Sequence, residues 1–293
     1  MAKENLKAQS VFLLIVLSLI WGTSFILIKQ GLKVFAPDEV AALRVTAACL
    51  FLLPVALVQL KELKKEDYFR LLVSGLMGVF IPAFLFAYAQ TQLTSSVAGI
   101  LNTLSPLWTM IIGALFFRQR FKGFAIIGII IGFGGTVLLA LSRSGGTITG
   151  INSYAFLIVL ACAFYGSNLN WVKFKIVDMK SLTITSVSLL LIGPLAAIYL
   201  FRFSDFTTKL TTLDGAWRAC GFVVLLGCMS TAIAIFLFNK LVKISTPLFA
   251  SSVTYLMPIV AVMWGVLDGE TLIAGHFIGM ACILSGVYLA NKK

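Results

Sequence analysis

A shift of 152 residues lays the second half of this chain over the first, and every segment it superposes is apolar. From Gly75 to Gly134 the register needs no gap: Gly75/Gly227, Phe84/Phe236, Ala98/Ala250, Pro106/Pro258, Gly113/Gly265, Gly123/Gly275 and Gly134/Gly286 all coincide. Upstream, a shift of 144 brings Trp21-Gly22 onto Tyr165-Gly166 and Lys29 onto Lys173. Two copies, residues 1–145 and 146–293, follow from this register. Inside a bilayer each backbone polar group must be paired within its own segment or a closed barrel, so long apolar repeats of this kind are helices. A duplicated helical unit places a binding site between its halves.

Hydrophobic residues make up 60% of the chain and charged residues 12%, with a mean hydropathy of +1.02. Soluble domains carry about 25% charged residues. Ten candidate spans fit: 10–32, 37–59, 69–90, 94–117, 121–142, 152–173, 181–203, 217–239, 246–267 and 272–290. Each is close to the ~20 apolar residues a crossing needs. Five spans per copy is odd, so the second copy inserts upside down. The expected fold is therefore all-α integral membrane, ten transmembrane helices as an inverted repeat of five plus five.

The net charge of +12 is a topology signal. Sixteen Lys and Arg residues lie on the side that holds both termini and six on the other, with Arg44 inside a span. That bias places both termini in the cytoplasm of a bacterial inner membrane. A lipid bilayer is thus the surrounding partner, and nucleic acid is not needed to explain the charge. The first span is too long for a signal-peptide core and no small-residue cleavage site follows it, so it is expected to stay. The five cysteines (Cys49, Cys162, Cys220, Cys228, Cys282) fall within spans without metal-like spacing, as packing residues do.

No catalytic motif stands out, no metal cluster, no cofactor signature and no Walker loop, so neither an enzyme nor an ATP-driven pump is the expectation. All eleven acidic residues sit in links, helix ends or the N-terminal tail. A proton-coupled exporter of organic cations needs a mid-membrane carboxylate, which argues against that mechanism. Gly128/Gly132 and Gly275/Gly279 form G-x-x-x-G faces in spans five and ten, suited to close scaffold packing.

Polar and aromatic residues near mid-depth carry the site expectation. Trp21, Ser24, Tyr88, Asn102, Tyr165, Asn168, Trp171 and Tyr255 are the candidate substrate-binding residues, on spans one, three, four, six and nine. Each also has a plain alternative, a hydrogen bond between helices. Pro106 and Pro258, at equivalent places, are candidate hinges, because a missing N–H bends a helix and frees a carbonyl. Arg44 lies about 10 Å of helix rise inside span two. It either snorkels outward or pairs with Asp38 or Glu39, or stands as a charge that greets an anion; Lys29 and Lys173, at matching places, are either gate residues beside it or anchors at the membrane interface.

Trp21-Gly22-Thr23-Ser24-Phe25, Pro37 with Arg44, Ala98 with Asn102 and Pro106, the Gly-rich fifth span, and the closing Gly269-Glu270-Thr271-Leu272 with Gly279 and Gly286 resemble EamA-type permeases of the drug/metabolite transporter superfamily. The resemblance spans nearly the whole chain as two copies. It implies an inner-membrane transporter, often an exporter of amino acids or other metabolites, with a cavity formed by spans one, three, four, six, eight and nine. Arg118 stands where the pattern of Glu270 would put a glutamate in the first copy, a departure. The expected function is secondary transport of a small organic molecule by alternating access at a central cavity, as a monomer or homodimer. Amino acids and related compounds lead. Sugar phosphates or nucleotide sugars read by Arg44, Lys29 and Lys173 are the second reading, and a lipid-handling enzyme or flippase the third.

Overall fold

A computed structural model describes residues 2–143, 152–267 and 273–291. The expected junction of the two copies at 145–146, the Gly269-Glu270-Thr271-Leu272 segment, Lys292 and Lys293 lie outside the described residues. Eight helices are long and apolar enough to cross a bilayer: α1 Leu6–Gly31, α2 Pro37–Gln59, α3 Lys65–Gln92, α4 Val97–Phe117, α5 Gly123–Ser142, α6 Ala155–Lys175, α7 Ser181–Arg202 and α8 Ala216–Ile244. Two shorter apolar helices, α9 Val253–Leu267 and α10 Ala274–Ala290, complete the ten. Among the described residues there is no strand. The protein is an all-α membrane protein of ten helices, five and five.

The duplication is visible in local structure before it is visible in packing. Thr94 and Thr246, identical at the 152 shift, cap the two broken helices in the same way. Thr94 Oγ1 accepts from Val97 N at 3.2 Å, and Thr246 Oγ1 from Phe249 N at 3.1 Å. A threonine oxygen satisfies one of the four orphan N–H groups at a helix start. Each start is then interrupted. In the α4 span, helix Ser95–Asn102 stops and resumes at Ser105. Before α9, a single turn Pro247–Ser251 is separated from Val253 by Ser252. Pro106 therefore sits in the first turn of the resumed helix, where its missing N–H costs little, whereas Pro258 lies inside α9.

α3 and α8 share a second irregularity. Leu76–Phe80 and Leu226–Ile233 are wound as π-helix, at overlapping repeat positions. Such stretches loosen the backbone ladder and often occur at functional sites. In α3, Pro82 follows directly, and the wider turn accommodates a ring that would otherwise meet the preceding carbonyls.

Two pairs of glycine crossings hold the copies together. A Cβ on Gly75 would lie 2.9 Å from the Ser188 carbonyl of α7, and one on Gly227 2.6 Å from the Arg44 carbonyl of α2. Gly75 and Gly227 are repeat equivalents, and so are Ser188 and Arg44. A Cβ on Gly22 would lie 2.8 Å from the Val260 side chain of α9, and one on its equivalent Gly166 2.7 Å from the backbone N of Thr109 in α4. Each copy thus lays its first and third helices against the other copy. α5 and α10 pack to one side through their glycine faces: Cβ atoms on Gly135 and Gly279 would each come within about 3.0 Å of the other's carbonyl oxygen. Gly275 lies against Ser142. This pair is the scaffold that the G-x-x-x-G spacing predicts.

Candidate functional site

A cavity opens where α1, α3, α4, α6, α8 and α9 converge, with α2 contributing Arg44. It comprises about 890 Å³ with its open mouth included. Much of its lining consists of repeat equivalents: Trp21 and Tyr165, Ser24 and Asn168, Phe25 and Leu169, Gly78 and Ser230, Phe86 and Phe238, Asn102 and Thr254, Ser105 and Met257. Arg44 breaks the pattern, because its equivalent, Ser188, is turned away and donates to the Leu71 carbonyl at 2.8 Å.

Aromatic pairs frame the space at two levels. Trp21 meets Phe238 edge-on with centroids 4.8 Å apart, and its equivalent Tyr165 meets Phe86 at 6.1 Å. The Trp21 indole N–H donates to the Ser230 carbonyl at 2.8 Å, within the π stretch of α8. Across the cavity Asn168 Oδ1 accepts from Ser74 Oγ at 2.8 Å, and its side chain occupies the room left by the missing Cβ of Gly78. Asn102 is held weakly. Its amide N–H reaches only the Met257 sulfur at 3.7 Å, and its Oδ1 accepts from Ser105 Oγ at 3.4 Å and from the Cys162 thiol at 3.8 Å. The amide retains capacity for a ligand.

Arg44 projects into this cavity. Its Nε donates to Thr231 Oγ1 at 2.6 Å, one turn along α8 from the Gly227 crossing. The outward pairing with Asp38 or Glu39 does not form, because those residues lie six and five positions back on a different helix face. Asp38 accepts from the Tyr199 hydroxyl. Glu39 accepts from Ala36 N and from Lys209 Nζ, each at 2.7 Å.

Three of the expected binding residues are placed elsewhere. Tyr88 is 43% exposed, about 200° around α3 from the cavity-lining Phe86. Tyr255 is fully buried under Gly132 and donates to the Ile129 carbonyl at 3.2 Å, tying α9 to α5. It is one residue, hence about 100°, from the cavity-lining Thr254. Trp171 lies a turn below Asn168 and donates to the Arg70 carbonyl at 3.1 Å. Tyr255 and Trp171 join helices to one another, and Tyr88 lies on the outer face of α3.

The two gate lysines do not join Arg44. Lys173 Nζ donates to the carbonyls of Val242 (3.0 Å), Lys243 (3.1 Å) and Ser245 (2.6 Å), capping the last turn of α8. Lys243 returns the bond to the carbonyls of Ile176 (3.0 Å) and Val177 (2.7 Å) just past α6. Each lysine caps the other's helix, satisfying orphan carbonyls at the negative dipole end. α6 and α8 are thereby pinned at the end of the bundle that carries both termini. The equivalent positions at the opposite end are Lys29 and Thr91. Lys29 is exposed, and Thr91 donates only to the Tyr88 carbonyl of its own helix at 2.7 Å. One end is clamped and its counterpart is not.

The lining phenylalanines and Lys243 were outside the sequence expectation. Phe86 and Phe238 are identical at the 152 shift, so the repeat register marked them. Nothing in sequence spacing marked Lys243, because its partner lies 67 residues upstream.

Two successive stretches, residues 8–141 and 152–292, match the model of the EamA-like transporter family. An uncharacterized transporter of Archaeoglobus fulgidus is 26% identical over 93% of this chain and 95% of its own length. The uncharacterized inner membrane transporter YedA of Escherichia coli K12 is 28% identical over 95% of this chain and 89% of its own. A probable amino-acid metabolite efflux pump of Salmonella typhimurium is 25% identical, covering 95% and 93%. One solved structure superposes with a TM-score of 0.71 over 97% of this chain and 96% of the other, at 19% identity.

Proposed function

The chain belongs to the EamA-like transporter family and is a multi-pass membrane transporter, and from that premise we propose that it exports small organic metabolites, with amino acids and related compounds leading. The observation that carries this reading is the cavity itself: equivalent residues of two inverted copies line one space, and α6 and α8 are pinned to each other at one end of the bundle. An inverted repeat provides a second conformer by exchanging the roles of its halves, and a substrate that binds both conformers crosses between them. The broken helices at Asn102–Ser105 and Ser251–Val253, with Pro106 and Pro258 beside or within them, are the hinges of that exchange. With both termini in the cytoplasm, as the sixteen-to-six charge bias favours, the pinned end faces the cytoplasm and the cavity faces outward.

Neutral amides, hydroxyls and aromatic faces suit a small amphiphilic metabolite. The efflux name borne by the Salmonella typhimurium relative supports the same class. Sugar phosphates and nucleotide sugars fit less well, since Lys29 and Lys173 point elsewhere and leave one cation in the cavity. Counterflow in proteoliposomes tests the proposal. Vesicles preloaded with pooled neutral amino acids should accumulate labelled L-leucine faster than empty ones. Equal uptake with every amino acid and metabolite pool sinks it.

A further inference from the structure

We propose that this cavity selects its substrate by a single carboxylate docked on Arg44; the inference rests on the transport reading and names the substrate class of the same site. Among the described residues, Arg44 is the only lysine or arginine lining the cavity, and no Asp or Glu lines it. Among the described residues no carboxylate lies within ion-pair distance of its guanidinium. The acids on the same helix are already engaged, Glu39 by Lys209 and Asp38 by the Tyr199 hydroxyl. Of the five guanidinium donors, the Nε–H is committed to Thr231 Oγ1, and the Nη edge is the face that matches a carboxylate in a two-pronged geometry.

A cation kept in such a place needs a counter-charge for at least part of the cycle. The substrate is the component that can bring one. The remaining polar lining (Asn102, Asn168, Ser230, Thr254) is neutral, so it can receive an amino or hydroxyl group but cannot neutralise a lone cationic substrate. The repeat sharpens the point. Ser188 at the equivalent position is spent on the Leu71 carbonyl, so the anion site is single and off the pseudo-symmetry axis. A ligand held there has one charged end against α2 and α8 and its apolar part against the aromatic pairs. One cation also sets the valence: a monocarboxylate is matched, and a dianion is not.

The test uses the full-length purified protein, with counterflow in proteoliposomes and ligand-induced thermal stabilisation in detergent. Two pools of identical carbon skeletons serve as probes. One holds the neutral amino acids with 4-methylpentanoate, the other the corresponding carboxamides, 4-methylpentanamide included. The expected result is exchange and stabilisation with the carboxylate pool, 4-methylpentanoate included, and at least tenfold weaker binding of the carboxamides. Arg44→Gln should lose the distinction between the pools. Should Arg44→Gln fail to fold, the wild-type comparison of acid against amide still decides. Equal exchange with both pools overturns the carboxylate site and leaves the metabolite-transport reading standing. Exchange with neither pool overturns both.

Discussion

Replacing Gly227 by alanine tests the link between the repeat packing and the placement of Arg44. A Cβ at this position would lie 2.6 Å from the Arg44 carbonyl oxygen and 2.8 Å from the Ala47 Cβ, a shortfall of about 0.8 Å against ordinary contact. A backbone carbonyl cannot swing aside as a long side chain would, so α2 must retreat from α8. Overpacking of this kind costs about 1–3 kcal/mol. Against it stands the better helix propensity of alanine, up to about 1 kcal/mol. The net is destabilisation on the order of 0–2 kcal/mol. Gly134 is the control, because a Cβ there meets nothing within 4 Å. Its alanine variant keeps the propensity gain without the clash. The two variants should therefore differ by about 1–3 kcal/mol in unfolding titrations in mixed micelles, Gly227→Ala being the weaker. The retreat also carries the guanidinium away from Thr231, so Gly227→Ala should show poorer counterflow than Gly134→Ala at equal folded protein. Equal stability and equal exchange for the two variants would refute the claim that this crossing positions Arg44.

Lys173→Met removes the donor to three carbonyls at the end of α8. At about 1.5–3 kcal/mol for a charged hydrogen bond, amide exchange at residues 176–180 and 242–246 should rise roughly tenfold or more, with α5 and α10 unaffected; unchanged exchange refutes the clamp. Tyr255→Phe should lower stability by about 0.5–1.5 kcal/mol and leave counterflow intact, whereas lost exchange at full stability would return Tyr255 to the site. Alanine at both Asn102 and Asn168 should slow exchange roughly thirtyfold if each amide gives the substrate a hydrogen bond worth about 1 kcal/mol, and normal kinetics in the folded double variant would remove them from the site. Tags at either terminus should be protected from external protease in intact cells and cleaved after permeabilisation, the opposite pattern inverting the proposed topology.

The helical membrane architecture was legible in the chain because it depends on one-dimensional quantities. Hydropathy over about 20 residues, the odd number of spans per copy and the register of the duplication need no knowledge of contacts. The G-x-x-x-G spacing pointed to close packing at spans five and ten, whereas Phe86 and Phe238, identical at the 152 shift, were not singled out before the structure placed them on the cavity. Side-chain direction was harder to read. Helices that are apolar all round carry no amphipathic stripe to say which face points inward. Tyr255, Tyr88 and Trp171 looked like their cavity-lining neighbours by depth, and rotations of 100–200° or one further turn sent them elsewhere.

What the sequence determined alone was therefore the number of helices, their duplication and the charge bias across the membrane. Which charges meet was decided by tertiary structure. Arg44 had two open readings until Gly227 drew α8 against its carbonyl and set Thr231 opposite its Nε. Lys29 and Lys173 are equivalents by register, yet one is exposed and the other donates to three carbonyls. An inverted repeat must break its own symmetry to be open at one end and shut at the other. That choice belongs to the arrangement of the helices in space.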